Sequence, residues 1–100
     1  MSLSRDNYVI LSVPYKVREV PSGDSRIDDN YGKVCWAEYT IYLASDGPWE
    51  ERVETLIHET MHIITRGQDK YNLAEEGILR TFSEVLVDTL LRNGILTKGE

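Results

Sequence analysis

Residues 48–66 constrain the fold more than any other segment, because their apolar side chains recur at the three- and four-residue spacing of an amphipathic helix. The segment Ser45–Pro48 is typical of a helix start, with proline in the first turn and two acids close behind it at the positive end of the helix dipole. We therefore predict a helix that runs to about Arg66 and ends at Gly67. Its apolar stripe comprises Val53, Leu56, Ile57, Thr60, Ile63 and Ile64.

The two histidines of the chain fall on the opposite side of this helix. His58 and His62 are four residues apart in the motif His58-Glu59-Thr60-Met61-His62, so their imidazoles lie one turn apart and can share a metal ion. Glu59 lies about 100° around the helix from His58, where it can reach an attacking water without binding the metal. We predict a zinc site with His58 and His62 as ligands and Glu59 as the general base.

A catalytic zinc site needs a third protein ligand and leaves one position for water. Since the sequence has no third histidine, we expect this ligand to be a carboxylate from a second helix. That helix is predicted from Asn72, which Glu75 completes as a capping box, to Asn93, with Gly94 as its stop. Glu76 is the preferred ligand because it shares a side with the apolar residues that would pack on the first helix, and Glu75 is the alternative. The other candidates are Asp69, Glu84 and Asp88.

Strand-like segments precede the first helix. Tyr8–Val13 and Tyr15–Val20 are rich in β-branched residues and tyrosine, and Pro14 between them marks a bend or an edge position. Pro21–Gly32 is a polar loop of turn formers, and Val34–Leu43 returns to strand composition with its odd-numbered side chains on one face. These elements predict an α+β fold, in which a small antiparallel or mixed sheet of about three strands packs on two helices.

The composition fits a single domain over residues 1–100, since 41% of the residues are hydrophobic and 28% are charged. The formal net charge of −6 argues against nucleic acid as a partner, and no basic amphipathic stripe points to a membrane surface. Cys35 is the single cysteine, which excludes an internal disulfide framework and fits a reducing compartment. We find no transmembrane span or signal segment in the sequence and expect a cytoplasmic protein.

The motif HETMH, followed by Glu76-Gly77-Ile78-Leu79-Arg80-Thr81-Phe82-Ser83, resembles the HExxH…ExxAxxFA arrangement of the ImmA/IrrE-type metallopeptidases and related phage-borne minimal zincins. Tyr39–Leu43 is similar to the strand that these proteins place at the sheet edge over the cleft. Leu79 stands where the family has a small residue, and no helix-turn-helix or sensor domain accompanies the core. The resemblance implies a minimal zincin fold, with His58, His62 and Glu76 as zinc ligands and Glu59 as the catalytic base.

The sequence thus predicts a zinc metallopeptidase that hydrolyses a peptide bond with a zinc-activated water and Glu59 as the base. A domain of this size offers little surface for substrate-binding subsites, so we expect a narrow specificity for a peptide or protein substrate or a protein partner that completes the cleft. The substrate would be held on the edge strand. The alternative is a non-catalytic zincin-fold interaction module with a structural or vestigial metal site, although such a site has no use for Glu59. Hydrolysis of a non-peptide amide is a third hypothesis. In either hydrolysis, Tyr71 is one candidate hydrogen-bond donor to the oxyanion of the tetrahedral intermediate.

Overall fold

Four strands and two helical segments form the described part of the chain. The computed structural model describes residues 2–71 and 85–95, except for the side chains of residues 67–71. The strands β1 (Arg5–Ile10), β2 (Val13–Val20), β3 (Gly32–Cys35) and β4 (Thr40–Ala44) precede helix α1 (Trp49–Tyr71), and residues 85–92 are also helical. In the sheet the strands lie in the order β1-β2-β4-β3, with β2 and β4 parallel and the other neighbours antiparallel. The predicted α+β class with a mixed sheet is confirmed, with four strands rather than three.

A two-residue turn at Leu11 and Ser12 joins β1 to β2. Both residues have positive φ, 50° and 68°, which is the type I′ geometry that matches the twist of a hairpin. Of the two predicted placements of Pro14, the bend is wrong, because Pro14 lies within β2 opposite Val9. The edge position is the one found, because β2 is paired only with β1 at this residue. The pair of Pro14 with Val9 is one step beyond the pair that closes the turn, so it needs no hydrogen bond between its members. The pairing of β2 with β4 begins only at Lys16, so the missing N–H of proline costs nothing on that side either.

We expect Ser12→Gly to raise the free energy of unfolding by about 0.5 to 1 kcal/mol, because glycine adopts positive φ without steric cost. Leu11 is kept in this variant, since its half-buried side chain packs against the core. The measurement is the midpoint of urea unfolding. Ser25→Gly is the matched control, because Ser25 is an exposed loop serine without positive φ and glycine there adds only chain entropy to the unfolded state. Equal effects of the two substitutions would contradict the expectation.

Residues 32–44 form an antiparallel hairpin, so the single strand predicted over Val34–Leu43 is wrong. The 3₁₀ turn Trp36–Glu38 separates the two strands, and Tyr39 behind it has the left-handed conformation with φ 50° and ψ 46°. The turn also breaks the predicted alternation of side chains. Cys35 belongs to the cluster on the sheet face away from α1, whereas the odd-numbered residues of β4 contact α1.

The sheet edge that lies nearest to α1 is β3, because β4 is paired on both sides. The prediction that the segment Tyr39–Leu43 supplies the edge is therefore wrong. Its side chains are buried from Thr40 to Ala44, as expected for an inner strand with both faces covered. The outer strand at this side of the sheet is β3, so an extended peptide would pair with β3 and not with β4.

Each face of the sheet has its own cover. Helix α1 packs on one face with the apolar stripe that its spacing predicts, and the loop between β2 and β3 covers the other face with Ile27, which is fully buried. In that loop Arg26 binds Asp24 through two hydrogen bonds of 2.9 Å and lowers the pKa of Asp24 to about 2. The buried core under α1 comprises Leu3, Tyr8, Ile10, Tyr15, Val17, Val34, Ile41, Leu43, Leu56, Ile63 and Ile64.

Helix α1 continues through Gly67 to Tyr71, so the predicted end at Gly67 is wrong. A glycine inside a helix costs about 1 kcal/mol relative to alanine, which is small beside the burial of Leu56, Ile63 and Ile64 on the sheet. The predicted cap of the second helix, Asn72 with Glu75, lies outside the described residues. No helix in the described ranges is long and apolar enough to cross a membrane.

The second helical segment ends at Gly94, as predicted. Gly94 has a φ of 73°, and the N–H of Ile95 donates to the carbonyl of Leu90 at 2.8 Å, which together form a Schellman motif. The preceding Asn93 reaches the outer edge of β1. Its Oδ1 accepts the N–H of Val9 at 3.0 Å and its Nδ2 donates to the carbonyl of the same residue at 3.2 Å, so a side-chain amide covers this sheet edge.

Candidate metal centre

Helix α1 presents His58 and His62 on its exposed side. Their Nε2 atoms lie 3.0 Å apart, and the rings meet edge to face with centroids separated by 4.6 Å. Two nitrogen atoms that bind one zinc ion at about 2.0–2.1 Å in tetrahedral geometry lie about 3.3 Å from each other. The two rings therefore need to move by only a few tenths of an ångström to share an ion, and the structure brings the two predicted ligands together.

Glu59 completes a cluster with the two histidines. A carboxylate oxygen of Glu59 and one ring nitrogen of each histidine lie within 4.8 Å of one another, and the residue is 7% exposed. Burial raises the pKa of the Glu59 carboxyl, and the electrostatic effect of the neighbouring His62 and His58 partly opposes this shift. A carboxylate with a raised pKa is a stronger proton acceptor, which is the property that a general base requires.

A buried hydrogen-bond chain fixes the rotation of α1 at this turn. Thr60 donates its hydroxyl proton to the carbonyl of Leu56 at 2.7 Å, and its oxygen lies 2.8 Å from the hydroxyl of Tyr8 on β1. Because a threonine hydroxyl has one proton, Tyr8 is the donor in the second bond. Both side chains are fully buried, so this contact ties the helix to the sheet directly behind the histidines.

The two histidines open on a groove of about 930 Å³ between α1, the edge strand β3 and the loop that precedes α1. The guanidinium carbon of Arg66 on α1 lies 4.1 Å from the ring centroid of Trp36, which follows β3. Since Gly32 at the start of β3 lies against Thr55 on α1, the strand and the helix run side by side between these two contacts. Aromatic, acidic and basic side chains all contribute to the lining. The groove residues include Tyr31, Gly32, Lys33, Asp46, Glu51, Glu54, Thr55, His58, Glu59 and His62.

Gly32 allows the edge strand to approach the helix. A Cβ atom at Gly32 would lie 2.6 Å from Cγ2 of Thr55, which is too short for a side chain, and 3.1 Å from the carbonyl oxygen of Tyr42, which is a tight contact. In the sequence, Gly32 stands out only as the end of a polar loop. A tight contact between two elements that are distant in sequence leaves no local signal, because glycine in a loop has many other reasons to occur.

The backbone of β3 offers hydrogen-bonding groups to this groove. The N–H of Ala44 donates to the carbonyl of Tyr31 at 2.8 Å, which identifies this pair as a hydrogen-bonded pair of the hairpin. Bonded and non-bonded pairs alternate along an antiparallel ladder. The N–H and C=O groups of Gly32 and Val34 therefore point away from β4, along the outer edge of the sheet.

The candidates for a third ligand fall mostly outside the described residues. Asp88 is described, and its exposed carboxylate pairs with Arg92 at 3.3 Å. It is not a member of the His58-Glu59-His62 cluster, the group of possible metal ligands that the described residues contain. The other residues named in the sequence analysis lie outside the described part, and they are Glu75, Glu76 and Glu84 together with the side chains of Asp69 and Tyr71.

We compared the chain with protein-family models, with curated proteins and with solved structures, and none of the three comparisons finds a match. The function is therefore inferred from the chemistry of His58, Glu59 and His62 and from the groove that these residues line.

Proposed function

We propose that this chain is a zinc-dependent metallopeptidase. The observation that carries the proposal is the approach of the Nε2 atoms of His58 and His62 to 3.0 Å at the wall of an open groove, with the buried carboxylate of Glu59 beside them. Two neutral imidazoles are good zinc ligands, and a carboxylate that is not needed to hold the metal suits proton transfer. Glu76 stays our prediction for the third ligand, with Glu75 as the alternative.

The chemistry follows from these groups. His58, His62 and the third ligand would hold a zinc ion, which would lower the pKa of a bound water toward about 7 and polarise the substrate carbonyl. Glu59 accepts a proton from the water as its oxygen attacks the carbonyl carbon. The same carboxyl then donates this proton to the leaving amine as the C–N bond breaks, and the products are a carboxylate and a free amine.

The substrate we propose is an extended peptide or a protein segment. The free N–H and C=O groups of Gly32 and Val34 can pair with such a chain by β-augmentation, and the pairing would hold it across the two histidines. The groove is open, so a protein partner that completes its outer wall is also part of the proposal. We further propose a cytoplasmic location, which the single cysteine and the lack of a disulfide framework support.

Zinc content tests the metal site without requiring a substrate. After dialysis against zinc and then against metal-free buffer, we expect about one zinc per chain in the wild type and in Glu59→Gln, measured by elemental mass spectrometry. His58→Gln and His62→Gln are expected to lose the metal, since each removes one of few ligands. Glu76→Gln should also lose it if the predicted third ligand is right.

Glu50→Gln serves as the matched control, because Glu50 is an exposed acid in the first turn of the same helix. Its zinc content should equal that of the wild type. A wild type that binds no zinc would contradict the proposal and favour the non-catalytic interaction module. Zinc lost equally from Glu59→Gln and His62→Gln would make Glu59 a ligand, and a site closed in this way would be structural.

A further inference from the structure

Arg66 lies one helical turn beyond His62, on the same face of α1. Four residues of helix separate the two positions by about 6 Å along the axis. The guanidinium carbon of Arg66 lies 4.1 Å from the centroid of the Trp36 ring, and Trp36 directly follows the edge strand β3. Arg66 therefore bridges α1 and the end of β3, on the side of the histidines opposite to Gly32.

The charge of Arg66 is not neutralised by a carboxylate within 4 Å among the described residues. Its contact is the face of an aromatic ring, which attracts a cation but accepts no conventional hydrogen bond. Among the other described arginines, Arg5 donates to the backbone carbonyls of Leu3 and Asn93, and the remaining four have acidic partners. These ion-paired arginines are Arg18, Arg26, Arg52 and Arg92.

The lining of the groove on α1 ends at His62, one turn before Arg66. We propose that Arg66 binds a carboxylate of a peptide that extends from the groove past His62, and so gives the enzyme a preference for acidic substrates. A guanidinium presents its N–H donors in a planar fork that matches a carboxylate, and the ring of Trp36 holds this fork without using its donors. The inference rests on the proposed function, since it assumes that a peptide occupies the groove.

The geometry also limits where the carboxylate lies in the substrate. An extended chain advances about 3.3 Å per residue, so the 6 Å turn from His62 to Arg66 corresponds to about two residues. Glu51 and Glu54 line the groove on the other side of the histidines, where they repel an anionic group. The carboxylate is therefore an acidic side chain within about two residues of the scissile bond, or a chain terminus at the same distance.

The test uses octapeptides randomised at every position and two zinc-loaded proteins, Glu59→Gln and the double variant Glu59→Gln/Arg66→Gln. Retained peptides are identified by mass spectrometry, so the readout is binding and does not depend on cleavage. We expect the first protein to enrich peptides with Asp or Glu over those with Asn or Gln about tenfold, and the double variant to lose this ratio. An Arg66→Glu change should favour Lys and Arg instead.

The control is Arg92→Gln in the Glu59→Gln background, because Arg92 is an exposed arginine on the other helical segment. It should keep the full enrichment. A second library with amidated C-termini separates the two sources of the carboxylate, since only a preference for the chain terminus disappears with it. Failure to retain peptides, or an acidic preference that survives Arg66→Gln, overturns the inference. Peptides that bind through Arg66 but are not cleaved by the wild type contradict the proposed function alone.

Discussion

Glu59→Gln is expected to reduce peptide hydrolysis by about 10²- to 10⁴-fold while the protein keeps its zinc. Glutamine has the shape of the carboxylate and fits the buried site of Glu59, but it neither accepts the proton of the attacking water nor returns it to the leaving amine. The measurement is the rate at which the zinc-loaded protein cleaves the randomised octapeptides, with products quantified by mass spectrometry.

Two comparisons make this result specific. Glu50→Gln changes an exposed acid near the start of the same helix and should cleave at the wild-type rate. Removal of zinc by a chelator should abolish cleavage by the wild type, and added zinc should restore it. If the zinc-loaded Glu59→Gln protein cleaved as fast as the wild type, Glu59 would not be the base, and the chemical role assigned to the motif would be wrong.

Arg52→Met is expected to lower the free energy of unfolding by about 3 to 5 kcal/mol, because it strands a carboxylate in the interior. Arg52 on α1 binds both oxygens of Glu19 on β2, at 2.9 and 3.1 Å, and their side chains are only 13% and 10% exposed. Glu19 also accepts the backbone N–H of Leu3 at 2.7 Å, and Arg52 donates to the carbonyl of Gly47 at 3.0 Å. The pair therefore ties together the sheet, the chain start and the loop before α1.

Urea unfolding in the presence of a chelator measures this effect without a contribution from bound metal. Arg92→Met is the matched control, since the pair of Arg92 with Asp88 is exposed and should contribute less than about 0.5 kcal/mol. The double variant Glu19→Gln/Arg52→Met should recover much of the loss, because no buried charge is left unpaired. A loss below about 1 kcal/mol in Arg52→Met would show that the pair is not needed for stability.

The helix α1 and the side of it on which the histidines lie could be predicted, because both follow from the local periodicity of apolar residues. Residues that recur every three or four positions share a helix face in any fold, so the opposite placement of His58 and Leu56 needs no tertiary information. The stop at Gly94 is equally local, since a Schellman motif depends on one residue that adopts positive φ. These features required only the sequence within two turns.

The sheet edge and the contact between Arg66 and Trp36 beyond the groove could not be predicted, because the sequence signals for them are weak or come from distant segments. The turn at Leu11 and Ser12 has neither glycine nor asparagine, and the 3₁₀ turn Trp36–Glu38 interrupts a stretch that reads as one continuous strand. The parallel pairing of β2 with β4 joins segments on either side of a polar loop. The contact of Arg66 with Trp36 depends on that pairing, so it exists only once the sheet has formed.

The two outer strands of the sheet differ in whether their outward N–H and C=O groups are hydrogen-bonded, and this difference affects aggregation. Exposed strand edges are sites where folded proteins associate into extended sheets. The amide of Asn93 occupies the N–H and C=O of Val9 on β1, whereas β3 keeps its outer groups open beside α1. Because β3 has only four residues, it offers few backbone groups to a strand of another molecule. The shortness of β3 thus limits association at the edge that stays open.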